Sequence, residues 1–272
     1  MLEIFTYGFI QRAILTGVFV GTACALLGVF LVLRRYALIG HGLTHVAFGG
    51  VAIGLLVSRQ PFWMTLFITL LSSMGILKLQ QRVKIYADVA IGIVSAVGMA
   101  VGIVIASVAG GFNVDLMSYL FGSILTIGDT EFIVSSVISV LVICFIVLFY
   151  YDLFAMTFDE ESARAMGIAV DRYNYFFAAV SAFVVVVGMR VVGLLLVSAL
   201  MILPAVTSLQ LSRSFRTSLF LSAVAVVLSV VAGIVISFLL DLPAGGTIVL
   251  FNFILFLIAF SAKKLFIEKA ES

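Results

Sequence analysis

The sequence predicts an all-α polytopic membrane protein, and two observations carry the prediction. Of its 272 residues, 64% are hydrophobic and only 10% charged, with a mean hydropathy of +1.34. A soluble domain has nowhere to bury that much apolar surface. Apolar runs of about 18 residues or more, long enough to cross ~30 Å of hydrocarbon, also recur along nearly the whole chain. The joining loops are too short to fold alone, so residues 1–272 read as one transmembrane domain. A transmembrane β-barrel would need short alternating segments, and that alternation is absent.

About nine transmembrane segments follow in order. The first, 8–33, opens from "MLEIFTYGFIQR", which lacks a basic start, a short apolar core and a small-residue cleavage site. It is expected to act as the insertion signal and to stay in place. The second, 36–57, follows Arg34 and Arg35 and holds both histidines of the chain. The third and fourth cover 61–79 and 88–110, and the fifth 132–150. Gly17 with Gly21, and Gly98 with Gly102, have the spacing that lets membrane helices approach closely. The sixth and seventh, 173–190 and 191–203, meet where Gly188, Arg190 and Gly193 cluster. A charge in the middle of one merged span would cost at least ~2.5 kcal/mol, so a turn is expected there. The seventh is too short to cross at ~1.5 Å per residue, and is expected to be tilted, broken or continued into the next loop. The eighth and ninth cover 218–239 and 247–262.

Lysines and arginines set the orientation. With the N-terminus outside, twelve of them fall on one side: Arg34, Arg35, Lys78, Arg82, Lys84, Arg164, Arg172, Arg213, Arg216, Lys263, Lys264 and Lys269. Only Arg12, Arg59 and Arg190 fall on the other. The first side, with the C-terminus, is therefore expected to be cytoplasmic. Its longest polar stretch, 151–173, is expected to form a surface helix, and its loop 204–218 opens with Pro204, one of three prolines. Outside lies 111–131, half apolar, read as a short helix at or in the membrane surface. The net charge of +2 and the lack of a long basic tract exclude nucleic acid as an expected partner. Cys24 and Cys144 sit in apolar runs and read as small buried hydrophobes.

His41 and His45 are four apart, so on a helix both rings project from one face. Ten residues beyond Arg35, His45 would stand ~15 Å deep, near the midplane. Ionisable groups inside a membrane point to function, and neutral imidazoles suit zinc and other borderline transition metals. Hydrogen bonding to neighbouring helices is the competing role for the pair. A metalloprotease would need a glutamate where Gly42 stands, and no G-x-S-x-G marks a serine hydrolase. No phosphate-binding G-x-x-x-x-G-K-[ST] loop is present either, so ATP-driven transport would need a separate ATPase chain.

The stretch "RRYALIGHGLTHVAFGGVAIG" resembles the R-R-x-x-L-x-G-D-x-L-x-H-A signature of metal-uptake ABC permeases, the membrane subunits of zinc, manganese and iron importers. The likeness continues, in the family's order, through "DLMSYLFGSIL" (115–125), "MTFDEESARAMGI" (156–168), "VVGLLLVSALMILPAVTS" (191–208) and "DLPAGGTIVL" (241–250). It implies the type II ABC importer fold shared with cobalamin and siderophore importers, in the cell membrane. It also implies a second permease copy in a homodimer, two ATPase subunits and an extracellular metal-binding protein. No permanently bound cofactor is implied, only a transported divalent metal. The family's Asp and His ligands fall on His41 and His45. His45 matches, whereas His41 puts an imidazole where the family has a carboxylate, which favours zinc over manganese or iron. Leu203, Pro204, Ala205, Val206, Thr207 and Ser208 resemble the ATPase-coupling segment, expected as a short helix from Pro204 to Ser212. The rival reading is a secondary, ion-coupled transporter with the histidines as a proton relay.

Overall fold

The computed structural model describes residues 7–57, 61–109, 119–120, 122 and 128–271. Most of the expected outer segment 111–131 lies outside the described residues. The described elements are helices throughout: α1 Gly8–Leu33, α2 Leu38–Val57, α3 Pro61–Val83, α4 Ala87–Val108, α5 Asp129–Leu148, α6 Tyr150–Phe158, α7 Glu160–Ala165, α8 Val170–Val191, α9 Leu194–Leu211, α10 Phe215–Leu240 and α11 Ala244–Glu271. Eight of them are long and apolar enough to cross a membrane; α6, α7 and α9 are the exceptions.

α9 nevertheless covers the same thickness as its neighbours. Its 18 residues rise ~27 Å. At its start, a Cβ on Gly245 of α11 would lie 2.2 Å from the Val192 carbonyl oxygen. At its end, Lys263 of α11 donates to Gln210 Oε1 at 3.1 Å. α9 therefore runs parallel to α11 from one end of the bundle to the other, and the short seventh segment does continue into the following loop. The turn expected before it is present too, with Gly193 at φ +96°, a conformation open to glycine.

One expectation fails here. Pro204 does not open a separate helix to Ser212 but sits inside α9. Proline is tolerated within a membrane helix when neighbouring groups satisfy the freed backbone. The hydroxyls that follow stay on the helix itself: Thr207 donates to the Leu203 carbonyl and Ser208 to that of Ala205, both at 2.7 Å. The 151–173 stretch also differs, forming two short helices, α6 and α7, in place of one. Asp159 breaks them by capping α7, its Oδ1 accepting the Ser162 N–H at 3.0 Å. Those hydrogen bonds to Ser162 hold the Asp159 carboxyl below its ordinary pKa.

Side-chain pairs sort the bundle into two ends. One end carries Arg12–Asp129 at 2.6 Å and Arg190–Glu131 at 2.5 Å. The other carries Tyr36–Gln80 at 2.9 Å and Arg34–Asn174 at 2.6 Å. Arg34 is almost enclosed there, its side chain 9% exposed, and Glu160 of α7 lies 3.5 Å away. Burial lowers its pKa from the ordinary value, while the Glu160 carboxylate opposes that shift. This pairing pins the α1–α2 turn to α7 and α8. α1 forms the centre, buried along much of its length and packed against α5, α8, α9 and α10. α2 packs on the other side of α9, against α3 and α4.

Candidate metal path on helix α2

The site begins at the tight turn before α2. Tyr36 N–H closes it onto the Leu31 carbonyl at 2.8 Å, and Arg35 takes φ +59°. α2 then starts at Leu38, later than the apolar run suggested. His45 is seven residues into the 20-residue helix, ~10 Å along its ~30 Å axis, about a third of the way from the Arg34 end.

Four-residue spacing does bring the two rings together, with centroids 4.5 Å apart and planes inclined at 57°. His41 is exposed and His45 half-buried, so both look out from a face that the rest of the chain leaves open. The adjoining face of α2 is built for close approach. A Cβ on Gly49 would lie 2.6 Å from the Gly98 carbonyl oxygen, and one on Gly98 2.8 Å from the Val46 Cα. Gly42 faces Ile91 of α4 in the same way. Of the two glycine pairs singled out by spacing, Gly98 and Gly102 thus mark the α2–α4 seam. Gly21 of the other pair faces Val226 of α10.

That seam delivers a residue the sequence did not flag. Ser95 of α4 is 9% exposed, and its Oγ lies 3.0 Å from His45 Nδ1. In the tautomer with the proton on Nδ1, that N–H donates to Ser95 and the Nε2 lone pair is free for a metal, and such an orienting partner is the usual companion of a ligating histidine. Fifty residues separate the two in sequence, so only the nearby glycine spacing hinted at their meeting. α9 closes a further side, with Met201 Sδ 2.9 Å from where a Gly40 Cβ would stand.

Among the described residues no three His, Cys, Asp or Glu side chains converge on one metal position. One chain therefore offers two imidazole nitrogens on an open face. The proposed coupling residues are not brought to a surface: Pro204, Ala205, Thr207 and Ser208 are buried, and Leu203 and Val206 half-buried. The exposed positions at that end are Leu211, Arg213, Ser214, Arg216 and Thr217.

Comparison with known proteins agrees with this architecture. The family model of the ABC 3 transport family matches residues 6–263. The chain is 33% identical over 258 residues to the manganese transport system membrane protein MntC of Halalkalibacterium halodurans, covering 95% of this chain and 88% of that one. It is 28% identical over 247 residues to the high-affinity zinc uptake system membrane protein ZnuB of Haemophilus influenzae, covering 91% and 95%. Among solved structures it resembles PsaBC from Streptococcus pneumoniae in complex with Fab, with a TM-score of 0.84, 32% identity, and coverage of 94% and 92%.

Proposed function

Because the chain belongs to the ABC 3 transport family, we propose that it is the membrane permease of an ABC importer for divalent transition metal ions, zinc before manganese or iron. The observation that carries this reading is the His41–His45 pair, two rings 4.5 Å apart on an open face. ATP hydrolysis then belongs to a separate chain, and the permease lies in the plasma membrane with the Arg34 end in the cytoplasm. Family membership does not favour an ion-coupled carrier with a histidine proton relay.

Relatives named for manganese and for zinc leave the choice of ion to the site itself. Imidazole nitrogen suits zinc, whereas carboxylate oxygen suits manganese. Zinc prefers four ligands in a tetrahedron, and one chain supplies two. A second copy facing the exposed His41 would supply the other two, which fits a homodimer with the ion path between the copies. Water can fill the same positions in a transient site, because a conducting site must also release its ion.

An extracellular metal-binding protein would deliver the ion at the Arg190 end, and two ATPase subunits would drive the opposite end. Leu203 to Ser208 are then the packed part of the coupling segment, and the exposed run from Leu211 to Thr217 makes the contact. Thrust on that run reaches α2 through α9, whose Met201 lies against Gly40 beside His41. The deciding experiment reconstitutes the complex and compares ATPase stimulation by zinc, manganese and iron through a loaded binding protein. Stimulation by zinc, lost in His45→Ala, is expected. Equal hydrolysis with and without every metal would sink the proposal.

A further inference from the structure

A cavity of about 540 Å³ opens where α5, α6, α8 and the turn between α7 and α8 meet. Among the described residues, none of α2, α4 or α9, the helices around the histidines, lines it. Next to it, α5 exposes Leu141, Val147 and Leu148, apolar side chains suited to hydrocarbon. The cavity therefore stands at the membrane border, at the end of α5 and the start of α8.

Its wall is aromatic and continuous. Phe145 lies 4.5 Å from Phe176 and 5.2 Å from Phe149, and Phe149 lies 5.6 Å from Tyr173, ring centre to ring centre. Two opposite charges also line it. Asp152 accepts the Tyr173 hydroxyl, and Arg172 is exposed with no hydrogen-bonding or ionic partner among the described residues. Aromatic rings at a membrane border hold the junction between acyl chain and headgroup. A guanidinium matches a phosphate, and a carboxylate matches a group that can donate hydrogen bonds. A purely anionic headgroup would meet Asp152 as a like charge. A quaternary ammonium has no N–H to donate, whereas a primary ammonium has three.

We propose that this cavity binds a phospholipid whose headgroup carries both a phosphate and a primary ammonium, with the phosphate on Arg172, the ammonium on Asp152 and an acyl chain along Phe145, Phe149 and Phe176. The proposal rests on the membrane assignment alone and is independent of the transported metal.

Native mass spectrometry of the intact complex tests it, using ethanolamine, choline and glycerol phospholipids with identical acyl chains. The ethanolamine lipid should be retained at least roughly tenfold better than the choline lipid, the scale of one charged hydrogen bond. Asp152→Asn should abolish that preference and Arg172→Gln should lower retention of all three lipids, while Arg82→Gln, exposed and outside the cavity, changes neither. Asp152 also holds Tyr173, so if Asp152→Asn fails to fold, the exposed Arg172→Gln variant carries the test. Equal retention of the three headgroups, a preference for the glycerol lipid, or retention that Arg172→Gln leaves unchanged overturns the proposal.

Discussion

Ser95 Oγ stands 3.0 Å from His45 Nδ1, joining α4 to the helix that carries both imidazoles. The bond fixes which ring nitrogen turns toward the open face. Ser95→Ala is therefore expected to weaken metal use by about 10- to 100-fold, the usual effect of losing a ligand's orienting partner. Half-saturation of uptake should rise while abundance stays normal, and Ser95→Thr should restore most of the loss. Unchanged half-saturation in Ser95→Ala would make the contact mere packing.

Substitution at the two histidines separates a path from a structural pair. His45→Ala should abolish uptake at normal expression, and His41→Ala should nearly do so. His41→Asp should keep transport but shift preference from zinc toward manganese, because oxygen replaces nitrogen at one ligand position. Competition uptake with both ions reads this directly. If alanine lowers abundance and the remaining protein carries every metal in unchanged proportion, the pair only ties helices together.

Burial decides where the proposed cytoplasmic face can be probed. Ser208 is 1% exposed, so a cysteine there should react poorly from either side. A cysteine at Ser214, which is exposed, should label only from the cytoplasm. Arg213→Glu should impair ATPase coupling while leaving the fold intact, whereas Ala205→Asp, at a buried position, should reduce abundance. Labelling of Ser214 from outside would reverse the orientation.

The α2–α4 seam leaves no room for side chains. Gly98→Val places a Cβ 2.8 Å from the Val46 Cα, a backbone atom that cannot rotate aside. Overpacking of this kind costs about 1–3 kcal/mol. The expected result is a lower melting temperature in detergent and weaker uptake together, since the Ser95–His45 bond crosses the same seam. Gly75→Ala, with open space around it, serves as the silent control.

The α7 cap has a pH dependence of defined sign. Hydrogen bonds to Ser162 hold the Asp159 carboxyl below its ordinary value. A depressed folded pKa means that the stabilisation is present above the ordinary carboxyl range and is lost as pH falls through the folded value. Protection of the Ser162 amide, taken relative to its intrinsic exchange rate at each pH, should be lost only on acidification below that range, and in Asp159→Ala should be absent at every pH.

Hydropathy was enough to place the long spans within a few residues, because each crossing element needs a continuous apolar run. α9 was the exception. Its first half reads as too short and its second as a loop, since Pro204 is normally a stop signal in a sequence. Inside a membrane bundle, surrounding helices remove that penalty, and the chain continues to Leu211. His41 and His45 were legible because their relation is local and helical. Ser95 was not, because its bond to His45 depends on how closely two helices approach. The Gly98 and Gly102 spacing signals such closeness without saying which side chain profits. Burial of Pro204, Ala205, Thr207 and Ser208 was equally hidden, as hydropathy cannot tell lipid from protein as the apolar surrounding.

The approach of α9 bears on how such a protein can change over generations. A Cβ on Gly28 would lie 1.8 Å from the Met201 carbonyl oxygen, and one on Gly40 2.9 Å from the Met201 sulfur. Gly28 meets backbone and tolerates almost no replacement, whereas at Gly40 the flexible Met201 side chain can give way. His41, one residue from Gly40, is exposed and meets no such limit. Under the proposed metal role, cargo preference can drift by single-codon steps at position 41 while Gly28, which holds α1 against α9, stays fixed.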